Sequence, residues 1–151
     1  RRLQRAAAAA AGAESKTVDD KKRVSERDLV LLTIAAVEGM GGIGGEEAAK
    51  ELGRLTYSEK DPAVLKAVAR ALEATRAKEA VDYLGRMARL PGPFAIEAAR
   101  ALTRMAHLDP PNAQKTFERL SKDFDPALAA VGADGLDDLA ARGLLAAPTP
   151  G

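Results

Sequence analysis

A chain of 151 residues, 46% hydrophobic but only 3% aromatic, holds enough apolar material for one domain. Its core must be built from Ala, Leu, Val and Met, which favours closely packed helices over a β-sandwich. The absence of cysteine excludes disulfides, thiolate catalysis and thiolate zinc sites, and the longest strongly apolar run, Leu29 to Val37, is too short to cross a bilayer. The net charge of +1 is unevenly placed, with +4 on residues 1–27, none on 28–108 and −3 on 109–151; its plainest reading is two solvated ends.

The chain opens with Arg1 rather than methionine, so the expectation is that a native N-terminus lies upstream, and the compartment stays open. Residues 1–12 (RRLQRAAAAAAG) have high helix propensity, and Ala13 to Arg23 read as a polar linker, so 1–24 are expected to be a helical cap and its linker. A helix over 26–38 follows. Its Leu29, Val30, Leu31, Leu32, Ile34 and Val37 make it apolar nearly all round, which demands cover on more than one side, from the N-terminal segment or from a preceding repeat. Gly39, Gly41 and Gly44 satisfy the spacing of a dinucleotide-binding turn, but a helix precedes them where that turn needs a strand, and they are expected to form an inter-helix loop.

Helices are then expected at 46–57, 62–75, 78–89, 94–106, 111–122 and 126–141. Asp61-Pro62, Pro91-Gly92-Pro93, Asp109-Pro110-Pro111 and Asp125-Pro126 each place proline where a helix can begin but not continue. The sole histidine, His107, falls just past helix 94–106, where it suits a C-terminal cap. With one histidine, neither a triad nor a histidine acid–base pair can be assembled. Asp134, Asp137 and Asp138 lack the glycine and closing glutamate of a calcium loop, so no metal and no cofactor is expected. Residues 146–151 (AAPTPG) read as a flexible tail.

Two interleaved series repeat along the chain. One is LTIAAVEGM (32–40), AVARALEAT (67–75), EAARALTRM (97–105) and VGADGLDDL (131–139); the other is AAKELGRL (48–55), AVDYLGRM (80–87) and AQKTFERL (113–120). Interleaving means a two-helix unit, and short connections make consecutive helices antiparallel. The segment Asp61 to Leu72, DPAVLKAVARAL, resembles the second helix of a HEAT repeat, and the resemblance covers about residues 28–141. It implies an all-α fold: an α-solenoid of three to four stacked antiparallel helix pairs over 25–145. The ladder that this family builds from an aspartate before the second helix and an arginine early in it is absent, because Val30, Leu65, Ala95 and Ala129 occupy the arginine position.

The resemblance also implies that the second helices line a concave face. Lys66, Arg70 and Glu73 share one side of helix 62–75, Glu97, Arg100 and Arg104 share one side of helix 94–106, and Asp134 falls at the register of Arg70 and Arg100. These seven are the candidate partner-binding residues, facing a protein or peptide in a non-enzymatic scaffolding role. Nucleic acid is the alternative partner, through Lys66, Arg70, Arg100 and Arg104, but near-zero net charge and few aromatics weigh against it. Self-association is left open. Arg54, Arg86 and Arg119 recur at one register of the first helices and are expected to cover apolar surface or bond a neighbouring helix end. The Ala, Arg, Leu and Gly bias suggests a bacterial gene of high GC content.

Overall fold

The computed structural model describes residues 18–147. Among these residues the chain is all-α, with no strand: α1 (Val18–Ile43), α2 (Gly45–Ser58), α3 (Pro62–Thr75), α4 (Glu79–Ala88), α5 (Ala95–Met105), α6 (Pro110–Leu120) and α7 (Pro126–Ala141), plus a 3-10 turn at Ala106–Leu108. Contacts divide the chain into two compact units, residues 1–36 and 37–151.

In the first unit, Leu29, Val30 and Ile34 are half-buried, whereas Leu31 and Leu32 stand 56% and 49% exposed. The Thr33 hydroxyl folds back to donate to the Leu29 carbonyl at 2.8 Å, so its polar group is satisfied within the helix. The cap expected from residues 1–12 lies outside the described residues.

The second unit begins with the end of α1, and here the sequence expectation needs correction. The glycine-rich stretch is not a loop from Gly39 onward: α1 continues to Ile43, and only Gly44 and Gly45, at φ 75° and 87°, leave right-handed backbone. The reason is packing. A Cβ on Gly41 would meet the Ala71 Cα at 2.8 Å, so this glycine lets the last turn of α1 lie against the backbone of α3.

Three helix pairs follow, α2/α3, α4/α5 and α6/α7. First helices pack on first helices, α2 on α4 and α4 on α6, and second helices on second helices, α3 on α5 and α5 on α7, which is the two-layer order of an α-solenoid. Two of the three second helices, α3 and α7, start where the sequence puts aspartate before proline. The Asp61 carboxylate accepts from the Ala63 N–H at 2.8 Å, and the Asp125 carboxylate accepts from the Ala127 N–H at 2.9 Å, with Pro62 and Pro126 preset for the first turn.

Between the layers lies a core whose largest fully buried side chains include Leu52, Leu72, Leu84, Met87, Leu102, Phe117, Leu120 and Leu139. Each such side chain contributes about 2 kcal/mol relative to exposure. Alanines at the contacts, among them Ala49, Ala80, Ala98, Ala99 and Ala113, are wholly buried and keep the helices close.

The first-helix layer has a repeating joint. The Tyr83 ring of α4 lies on Gly53 of α2, and Thr116 of α6 lies on Gly85 of α4, in each case where a Cβ would collide. Gln114 is 3% exposed and grips the chain after α7: its side-chain amide donates to the Ala146 carbonyl at 2.8 Å, and its carbonyl oxygen accepts from the Ala146 N–H at 2.8 Å.

Candidate functional site

The apolar stripe of α3, Val64, Val68, Ala71 and Leu72, is buried, and that of α5, Ala98, Ala99, Leu102 and Met105, is buried likewise. Helical spacing then fixes where the charged residues between them go. On α3, Arg70 is exposed and Lys66 and Glu73 are half-buried; on α5, Arg100 and Arg104 are exposed and Glu97 is half-buried; on α7, Asp134 is exposed. All seven sequence candidates therefore stand on the second-helix layer, and the structure joins four of them in pairs.

Arg104 reaches across from α5 to α3 and holds Glu73 with a two-pronged grip, Nε to Oε2 at 2.6 Å and Nη2 to Oε1 at 2.8 Å. This parallel fork is the strongest geometry that a guanidinium and a carboxylate can adopt. The hydrogen bond that it donates to Glu73 holds the Arg104 guanidinium above its ordinary range, against an opposing effect of burial, with the charges of Glu73 and Glu97 adding to the rise. Arg70 makes the complementary link in the other direction, with Nε 3.4 Å from Glu97 Oε2. Thus two second helices exchange arginine for glutamate reciprocally, where the aspartate–arginine ladder is missing. Lys66, Arg100 and Asp134 make no ion pair within 4 Å among the described residues.

Next to this exchange, where α3 and α5 end, is a depression of about 430 Å³. Ala74, Met105 and Leu108 give it apolar walls, and Arg70, Arg76, Arg104, Glu73 and His107 give it a charged and polar rim. Arg76 follows the last residue of α3 with φ 55° and ψ 21°, a left-handed conformation. The sequence reading did not single out Arg76. A signal existed in retrospect: an arginine directly after a helix, where glycine or asparagine is the usual left-handed residue. His107, expected as a cap, lies exposed in the 3-10 turn and faces the same depression.

The three recurrent arginines of the first helices take different roles. Arg86 of α4 donates from Nη2 to the Thr56 carbonyl of α2 at 2.9 Å, and its guanidinium lies 3.4 Å from the centre of the Tyr57 ring. Arg54 bonds Glu51 on its own helix, and Arg119 is exposed. Only Arg86 ties one pair to the next. No group of three His, Asp or Glu side chains able to hold a metal ion occurs among the described residues, Asp134, Asp137 and Asp138 included. No helix among them is long and apolar enough to cross a membrane.

Comparison with known proteins gives one family. A model of HEAT repeats matches residues 24–103, more than half of the chain. No curated protein and no solved structure gives a significant match.

Proposed function

The chain belongs to the HEAT-repeat family, and on that premise we propose that it is a non-catalytic module that binds a protein or peptide on its second-helix layer. The observation that carries this reading is the division of labour on α3, α5 and α7: their apolar stripes are fully engaged in the core, while Lys66, Arg70, Glu73, Glu97, Arg100, Arg104 and Asp134 project from three successive helices over one surface. A surface of this kind is positioned by rigid elements and can change its side chains without cost to the core, which suits recognition. A chain with one histidine and no cysteine has no histidine dyad or thiolate with which to do chemistry, which supports a binding role over a catalytic one.

Nucleic acid is the weaker partner on this surface. Arg70 and Arg104 are already matched with Glu97 and Glu73, and carboxylates set among the arginines repel a phosphate backbone.

The test is affinity capture from extract of the source cells, followed by direct binding of whatever purified protein is recovered. Arg100→Glu with Asp134→Arg alters the layer away from the depression, and Lys115→Glu on α6 serves as the control. Loss of the partner with the first pair and its retention with the control is the expected result. A partner that ignores the reversal on α5 and α7 excludes this face.

A further inference from the structure

The depression at the ends of α3 and α5 has one guanidinium that no carboxylate matches among the described residues. Three guanidinium groups, Arg70, Arg76 and Arg104, border it, together with one carboxylate, Glu73. Glu73 is occupied by the fork from Arg104, and Arg70 turns to Glu97. Arg76 has no ion pair within 4 Å among the described residues. Among the described residues Arg76 is thus the one guanidinium of the rim without a carboxylate, and the carbonyl ends of two helices set about half a negative charge each against it. The depression offers an acidic group one free guanidinium rather than a net positive field.

Arg76 is also the one non-glycine residue with positive φ among the described residues. Glycine would hold that backbone without strain, so an arginine at this position costs local stability. Strain together with an unmatched charge on the rim of a cavity is what a ligand-binding arginine would show. The walls narrow the ligand further. Ala74 is exposed and Leu108 half-buried beside the arginines, with the buried Met105 also bordering the depression, so a bare anion would leave that apolar surface unused.

We propose that this depression receives an acidic–apolar segment of a protein partner, an aspartate or glutamate side chain meeting Arg76 while the apolar residue beside it rests on Ala74 and Leu108. The proposal rests on the reading of the second-helix layer as a protein-binding face and names the chemistry of its partner. A phosphate backbone fits less well, because Glu73 lies within the rim and phosphates bring nothing for the apolar walls.

The chain has three methionines, Met40, Met87 and Met105, which makes the site directly observable. Methyl-labelled methionine in the intact chain is titrated by NMR with a blocked peptide Glu-Glu-Leu-Glu-Glu, with its Gln-Gln-Leu-Gln-Gln counterpart, and with oligothymidylate. The acidic peptide is expected to shift the methyl of Met105, which borders the depression, and to leave in place that of Met87, which does not, at concentrations on the order of millimolar. The glutamine peptide is expected to do neither. Arg76→Gly is expected to weaken the acidic peptide about tenfold and, at the same time, to raise the melting temperature.

That opposite movement separates a binding residue from a structural one. A fall in melting temperature, unchanged peptide affinity in Arg76→Gly, a silent Met105, or a tighter response to oligothymidylate than to peptide each overturns the proposal. If Met105 is silent while Arg100→Glu with Asp134→Arg still abolishes capture of a protein partner, the face survives and the pocket alone is lost.

Discussion

The two layers of the helix stack are joined by different means. Along the first helices, successive pairs meet through shape and buried backbone: Tyr83 on Gly53, Thr116 on Gly85, and the Arg86 guanidinium on the Thr56 carbonyl and the Tyr57 ring. Along the second helices, above an equally well-filled alanine and leucine core, they meet through partly exposed charges, Arg104 on Glu73 and Arg70 on Glu97. Burial makes the first kind of joint costly to break, while solvent screening makes the second kind cheap. Both sides are held by the core, but the exposed charges of the second helices can change at little cost to the stack, and that is the side proposed for a partner.

Substitutions on either side grade this contrast. Leu84→Ala in α4 removes a fully buried side chain and is expected to cost about 3 kcal/mol in chemical denaturation. Arg86→Ala strips the buried Thr56 of α2 of its donor and the exposed Tyr57 ring of its stacking partner, for about 2 kcal/mol. Arg104→Ala is expected to cost only about 0.5 kcal/mol, and less still in molar salt, because its side chain is 58% exposed. If Arg104→Ala proves as costly as Arg86→Ala, the contrast between the layers fails.

The smallest expected effect is in α2. Lys50, hydrogen-bonded to Glu46 and attracting it by charge, holds that carboxyl below its ordinary 4.5, and Glu46 in turn raises Lys50 above 10.5. The pair's contribution is present between those values. It fades as pH falls below 4.5 through the lowered Glu46 value, or rises above 10.5 through the raised Lys50 value. Lys50→Met should flatten this shallow pH dependence of stability and leave the Arg86→Ala deficit unchanged.

Helix starts were the most legible part of the fold, because aspartate before proline both caps the first turn and bars the helix from continuing backward. α3 and α7 occupy the residues that this rule assigns them, 62–75 and 126–141. The end of α1 was misread, since Gly41 has the composition of a loop and the work of a helix contact, and only the position of Ala71 distinguishes the two. The seven charged candidates could be placed on one side of their helices by spacing alone. Which of them pair could not be foreseen, because that depends on the offset between neighbouring helices and on how far an arginine reaches. Arg76 escaped notice because an arginine directly after a helix is only a weak sign of left-handed backbone. Gln114 did leave a trace: it is a polar residue at the register of Ala49 and Val81, both buried, and its own burial is balanced by bonds to Ala146.

The joint between α2 and α4 has a spectroscopic consequence. The chain has two tyrosines and no tryptophan, and both tyrosines belong to this one joint, Tyr57 beneath Arg86 and Tyr83 upon Gly53. Tyrosine emission is thus a local reporter of whether α2 and α4 are together, while far-ultraviolet circular dichroism sums over every helix. In a stack stabilised between nearest neighbours, loss that begins at α7 would lower the dichroism before the emission responds, and loss that begins at α2 would reverse that order. The direction in which the solenoid unravels can therefore be read without introducing a label.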